Sequence, residues 1–188
     1  TWKPASPQLY TLKRLSRERN TLKEEKTAIS NRLHAEQSCQ KPDPMVIKRQ
    51  KQRIALIDKQ VKQIEEQMQK LAAKDKQLQQ RIEHICKIKG VAFVTVLAII
   101  AETNGFELVK HKSQLVSYAG YDVVERESGS SIKGKTKISK QGNRHIRHAL
   151  HFPALSVVKY HQEFKSLYEK VFDRTMIKMK GYVAVQRK

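Results

Sequence analysis

The stretch IALIDKQVKQIEEQMQKLAAKDKQLQQRIEHI, residues 54–85, decides the fold. Its apolar positions Ile54, Ile57, Val61, Ile64, Met68, Leu71, Leu78, Ile82 and Ile85 follow alternating steps of three and four, and only Asp75 interrupts the seam. That regularity over several heptads predicts a helix in a coiled coil.

Upstream, Leu12, Leu15, Leu22, Ile29 and Leu33 form a second seam, with Arg19 and Lys26 at its intervening positions. Between the runs, at Cys39 to Pro44, Asp43 is a good N-cap and Pro44 suits a first helical position. So short a connection favours an antiparallel helical hairpin. The first helix would take about 32 residues and the second about 44, or ~48 Å and ~66 Å. The longer one is expected to overhang or to pair with a second protomer. Two readings of this arm, residues 1–84, stand side by side. One is a plain intramolecular hairpin. The other is a dimerisation arm, in which Arg19, Lys26 and Asp75 set register or partner at some cost in stability.

Downstream, over 85–188, the composition changes: the first glycine is Gly90, and aromatic and β-branched residues appear. Ile85 to Thr103 reads as a helix, a tight turn at Gly90, then an apolar helix. Lys112 to Ala119 reads as a short helix stopped by Gly120. The Gly/Ser-rich stretch Tyr121 to Ile138 suits a loop or irregular hairpin. Gly142 and Asn143 open a helix to about Tyr160, which Pro153 should kink or end. Glu163 to Phe172 is a further helix. The fold class is therefore mainly α: a long helical hairpin followed by a compact helical domain with a basic Ser/Gly loop.

Charge narrows the function. The 188 residues hold 38 Lys+Arg against 18 Asp+Glu, a formal net charge of +20. Such a chain repels itself unless a polyanion neutralises it, which favours nucleic acid or an anionic membrane. Membrane is the weaker choice, because the longest apolar run, Val91 to Ala101, falls short of the ~18–20 residues a span needs. The arm is also charged all round outside its seam. Cys39 and Cys86 are far apart and form no CxxC pair. They read as free thiols of a reducing cytoplasm. The chain does not start with Met, and a piece of a longer protein is expected.

Four segments could carry chemistry. Ile85-Cys86-Lys87-Ile88-Lys89-Gly90-Val91-Ala92 looks like half of a helix-hairpin-helix, whose glycine turn aims backbone N–H groups at a phosphate. Lys87, Lys89 and Gly90 would make that contact; a simple packing corner is the competing reading. Between Ser130 and Leu150 six cations, Lys133, Lys135, Lys137, Lys140, Arg144 and Arg147, meet no carboxylate. They point to a phosphate backbone. In Glu127-Ser128-Gly129-Ser130-Ser131, a Ser/Gly cluster is most often a turn. Ser128 nevertheless lies near Arg126, Lys133, Arg144 and Arg147 in sequence. Cations suit phosphoryl transfer, because they stabilise charge on a phosphorus under attack. His145, His148 and His151 share a helical spacing but lack a convenient further ligand, so no metal is expected.

The ordered set of motifs resembles the insertion-sequence transposases grouped as IS-one-ten or IS-one-sixteen, which include bridge-RNA-guided recombinases. The likeness runs through Ile88-Lys89-Gly90-Val91, Tyr118-Ala119-Gly120, Glu127-Ser128-Gly129-Ser130-Ser131-Ile132-Lys133-Gly134, Ile138-Ser139-Lys140-Gln141-Gly142-Asn143 and Ile146-Arg147-His148-Ala149-Leu150. It departs at Ala92, where a glycine is usual, and at Val123, where a proline is common. The resemblance implies a C-terminal transposase domain in which Ser128 attacks a DNA phosphodiester and holds the strand end as a phosphoserine, with Lys140 and Arg147 against DNA or RNA. It implies an acidic RuvC-like domain lying before this stretch, which would bring divalent metal (Mg). No cofactor is expected in this chain, and without that domain no complete reaction. It implies DNA as partner, a guide RNA in the guided members, a homodimer or higher oligomer through the coiled coil, and a bacterial cytoplasmic, nucleoid-associated setting. The last segment, Lys180 to Lys188, resembles the start of the family's final helix and is expected to fray. The rival reading is a non-catalytic architectural protein that binds DNA or RNA and dimerises through its arm.

Overall fold

The computed structural model describes residues 6–188 except 125, 126, 129–131 and 134–136, with backbone alone at 127, 128, 132 and 133. The architecture is mainly α. Helix α1 (Pro7–Gln37) starts at Ser6, whose hydroxyl accepts from the Leu9 N–H. Helix α2 (Pro44–Ala73) starts at Asp43, which accepts from the N–H groups of Met45 and Val46. Each of these side chains satisfies donors that a helix start leaves open.

α1 and α2 run antiparallel, and their polar seam residues explain the register. Arg19 Nε donates to Glu65 Oε1 at 2.6 Å, and Lys26 Nζ to Asp58 Oδ1 at 2.5 Å. Seven residues up one helix match seven down the other, and the two carboxylates adjoin the seam residues Ile64 and Ile57, which remain buried. A slip of the helices would break both pairs together.

One expectation is corrected. The second helix does not run about 44 residues, and it does not overhang. It stops at Ala73, and α3 (Lys76–Cys86) starts afresh with Asp75 as its N-cap. Asp75 sits in extended backbone (φ −114°, ψ 106°) and accepts from the N–H groups of Gln77 and Leu78. The aspartate that interrupts the seam is thus a helix start, because a short carboxylate binds open N–H groups better than it fits a helix interior. α1 and α2, of 31 and 30 residues, are matched in length.

The seam nevertheless continues across the break. Leu78 and Ile82 of α3 join Leu12, Ile64 and Met68 in one cluster with Val96, Leu97 and Ile100 of α4 (Phe93–Glu102). Side chains from before and after residue 85 therefore share a core. Each such buried aliphatic side chain is worth about 1.5–3 kcal/mol.

Beyond α4, α5 (Lys112–Tyr118) leads, among the described residues, into four two-residue strands that form a nested hairpin. At its root β1 (Val123–Val124) pairs antiparallel with β4 (Lys137–Ile138); farther along, β2 (Glu127–Ser128) pairs with β3 (Ile132–Lys133). Two residues join β1 to β2, and three join β3 to β4. The register therefore shifts by one between the ladders, and the hairpin is irregular as its composition suggests.

Three helices follow: α6 (Arg144–Tyr160), α7 (Gln162–Thr175) and α8 (Lys178–Arg187). Pro153 does not end α6; it is buried within the helix beside Ala154, which packs with Val157 and Val185. α7 extends beyond the expected Glu163 to Phe172. α8 is not frayed: Val185 is buried and Lys188 pairs with Glu163 at 3.2 Å. The two cysteines are free thiols, Cys39 between α1 and α2 and Cys86 at the end of α3. No described helix is long and apolar enough to cross a membrane.

Replacing Asp75 by Ala should cost about 1 kcal/mol, the usual loss for a deleted cap. Urea unfolding would give an earlier midpoint with an unchanged slope; an unshifted midpoint would mean that the α2–α3 break does not depend on this carboxylate.

Candidate nucleic-acid interface

At the Gly90 corner, α3 ends at Cys86 and the chain reverses through Lys87–Ala92. Gly90 has φ +104°, and a Cβ there would lie 2.7 Å from Ser156 Cβ on α6. Glycine is thus required by close helix approach as well as by backbone conformation. Lys87 and Lys89 are both exposed. Lys89 Nζ stands 4.3 Å from the centre of the Tyr160 ring, and its carbonyl oxygen is 3.3 Å from His161 Nε2. The corner packs on α6 and presents two cations beside it.

The hairpin root is clamped to the start of α6. Lys140 N–H donates to Gly120 O, Asn143 N–H to Tyr118 O, and Ser139 N–H to Asp122 O, at 2.7 to 3.0 Å. Arg147 Nη1 donates to Ala119 O at 2.6 Å. A Cβ on Gly120 (φ +75°) would meet that nitrogen at 2.7 Å. Arg147 therefore spends one of its five donors on the fold. Tyr121 is buried; its hydroxyl donates to Gln186 Oε1 at 2.8 Å and ties the root to α8. Burial pushes its phenol pKa up, so it remains a donor.

Behind the clamp lies a buried carboxylate that sequence reasoning missed. Glu102, 1% exposed, ends the apolar helix α4. It accepts from Arg17 Nε at 2.7 Å and Nη2 at 2.9 Å, and from Asn143 Nδ2 at 2.7 Å; Lys13 Nζ is 3.5 Å away. The Tyr118 hydroxyl donates to the Glu102 backbone carbonyl at 3.1 Å. Asn143 meanwhile caps α6 with its Oδ1, which accepts from the His145 and Ile146 N–H groups. One side chain thus joins α1, α4 and the start of α6. The only signal in the sequence is a lone acid closing an apolar run, which needs a partner if buried.

Burial alone would raise the Glu102 pKa. Hydrogen bonds from Arg17 and Asn143, with the charges of Lys13 and Arg17, outweigh it and hold the carboxyl below its ordinary value. Next to it, burial first and the Arg17 charge second lower the His145 pKa and favour the neutral ring.

Lys87, Lys89, Lys137, Lys140 and Arg144 are exposed, Gly90 lies in its corner, and Arg147 is partly buried in the clamp. Ser128 belongs to β2, opposite Ile132, and Lys133 to β3, opposite Glu127, by backbone alone. Arg126 and Lys135 lie outside the described residues. The structure thus brings Lys137, Lys140, Arg144 and Arg147 to the foot of the hairpin that carries Ser128. Lys87 and Lys89 stand apart on the α3–α4 corner. Arg144 adds positive charge at the positive end of the α6 dipole, where an anion would be favourable and a cation is not. Among the described residues no group of three or more His, Cys, Asp or Glu side chains converges as a metal site would.

Residues 82–169 match the family described as Transposase IS116/IS110/IS902. The match runs from α3 to within α7 and includes the whole hairpin. No curated protein is similar enough to the chain to count as a relative.

Glu102→Gln should destabilise the protein towards the lower end of the ~3–5 kcal/mol typical of a broken buried pair. The low end applies because Arg17 and Lys13, 43% and 28% exposed, can turn to water. A carboxyl with a lowered folded pKa contributes stability above its unfolded value of about 4.3 and loses it as pH falls through the folded value. Urea titrations should therefore find wild type and variant farthest apart at neutral pH and converging in acid. A gap independent of pH would mean that the Glu102 charge is not what the site uses.

Proposed function

From the premise that residues 82–169 belong to the Transposase IS116/IS110/IS902 family, we propose that the chain supplies the DNA-binding, serine-bearing part of a DNA transposition reaction. Ser128 is its nucleophile. Its Oγ attacks a DNA phosphodiester; one O–P bond forms to the serine and one P–O bond of the strand breaks. The serine gives up its proton, the departing DNA oxygen takes one, and the strand end stays on the protein as a phosphoserine. The number of phosphate ester bonds is conserved, so a later attack by a DNA hydroxyl can reseal the strand without an energy source.

The observation that carries this reading is the position of Ser128 on the backbone. It forms the last β2–β3 pair before the connecting residues 129–131, on a hairpin whose foot bears Lys137, Lys140 and Arg144. Cations there can draw in a phosphate chain and offset the charge that builds on phosphorus during attack. The N-terminal helices support a second part of the proposal. Their exposed apolar residues Met45 and Leu56, in the first half of α2, would join two copies, so that acidic groups of a RuvC-like domain on one subunit meet the serine of another.

The test is covalent trapping. The protein carrying that domain, incubated with a nicked suicide substrate, should yield a protein–DNA adduct stable to denaturant. Ser128→Ala should abolish the adduct, a loss of at least ~10³-fold as for a removed nucleophile, and keep DNA affinity within about twofold, since no phosphate contact is lost. Unchanged cleavage by that variant would remove Ser128 from the mechanism. DNA binding with no adduct from wild type would favour the architectural reading.

A further inference from the structure

A groove of about 750 Å³ runs between the hairpin foot and the α7–α8 pair. Four cations line it: Lys137 from β4, Arg174 from α7, and Lys180 and Arg187 from α8. Among the described residues no carboxylate lines it, and none of the four is in an ion pair. Its floor is apolar, made by Val123, Ile138, Val171, Met179 and Val183. Two of these are well exposed, Val123 at 44% and Met179 at 50%. Three of the cations lie beyond 169, outside the matched segment.

We propose that this groove holds unpaired DNA nucleotides next to the phosphodiester that Ser128 attacks. The charge commits the occupant to a polyanion: a second copy of this chain, at +20, would bring like charge into a groove of four cations. The floor then decides between duplex and single strand. A duplex turns phosphates and sugars outward and hides its base faces in the stack. It can neutralise the rim but has nothing apolar to set on Met179 and Val183. An unstacked base has an apolar face of about the right size, while its flanking phosphates reach the rim. The volume, within the usual ~300–1,000 Å³ of ligand pockets, suits one or two nucleotides. Val123, Lys137 and Ile138 belong at once to the groove lining and to the β1–β4 root. A strand seated here continues towards Ser128 along the hairpin. Strand identity, DNA and not RNA, rests on the transposition reading above; the single-stranded preference does not.

The experiment is fluorescence anisotropy on the full chain with three labelled probes: oligothymidylate, duplex DNA of the same length, and oligouridylate. Wild type is compared with Arg174→Ala/Lys180→Ala/Arg187→Ala and with a control of equal charge loss on α2, Lys48→Ala/Lys51→Ala/Arg53→Ala. Oligothymidylate should bind wild type more tightly than duplex. The groove variant should lose about tenfold in affinity for it, and its salt slope should fall by roughly 2, at ~0.7 per single-strand phosphate contact. The control should lose less than threefold. Met179→Ala, at an exposed position that does not threaten folding, should weaken oligothymidylate about threefold with the salt slope unchanged. Equal losses in groove and control variants, a preference for duplex, or silence of Met179→Ala would each overturn the proposal. Oligouridylate binding through the groove in preference to oligothymidylate would overturn its assignment to DNA. Ser128→Ala keeps the two ideas separable. If it still cleaves while the groove variant loses single-strand binding, the serine reading falls and the groove stands. The reverse pattern removes the groove and keeps the serine.

Discussion

A carboxylate with 1% of its surface exposed must be answered by fixed donors, or it would take up a proton or force the fold open. Glu102 is answered from two sides: by Arg17 and, at longer range, Lys13 of the arm, and by Asn143 at the start of α6. It therefore acts as a test of assembly. The α1 arm, the apolar helix α4 and the loop that closes the hairpin must all be in place before its charge is satisfied. Arg17 spans both carboxylate oxygens and Asn143 shares Oε2 with it from a different element, so losing either one weakens the junction without simply transferring its role to the other.

That junction supports the rest of the candidate interface. Asn143 uses one end of its amide to hold Glu102 and the other to cap α6. The same few residues, Tyr118 to Asp122 and Ser139 to Asn143, clamp the hairpin foot. A rigid foot matters because it fixes where the hairpin leaves the helical body. Under the proposed function, a phosphate chain attracted to Lys137, Lys140 and Arg144 would then meet the hairpin at a defined place. Preorganisation of this kind lets charge contribute to chemistry as well as to affinity.

Polarity at the arm seam has an economical explanation. Arg19 and Lys26 find their carboxylates on the neighbouring helix of the same chain. Register within the α1–α2 pair is thereby specified internally. An association of copies would use other residues, and Met45 and Leu56 of α2 are exposed.

The order of elements was legible from the residues alone. Heptad spacing announced the two arm helices, Asp43-Pro44 their junction, Gly90 and Gly120 the corners, and Asn143 the start of α6. Each is a local signal, set by a periodicity or by one residue's backbone preference. Asp75 was visible as an interruption of the seam but read as a polar residue that sets register or partner, because a cap and a polar seam residue look alike until the helix is seen to break there. The basic run leading into α6 and the Ser/Gly cluster just before it were also plain, since charge and composition survive without coordinates. What only the tertiary structure decided were the encounters between distant parts: Arg17 with Glu102, 85 residues apart; Tyr121 with Gln186; Lys137 of the hairpin foot with Arg174, Lys180 and Arg187 around one groove. No spacing rule encodes these, because they depend on how helices already formed pack together, and packing is a property of surfaces in three dimensions.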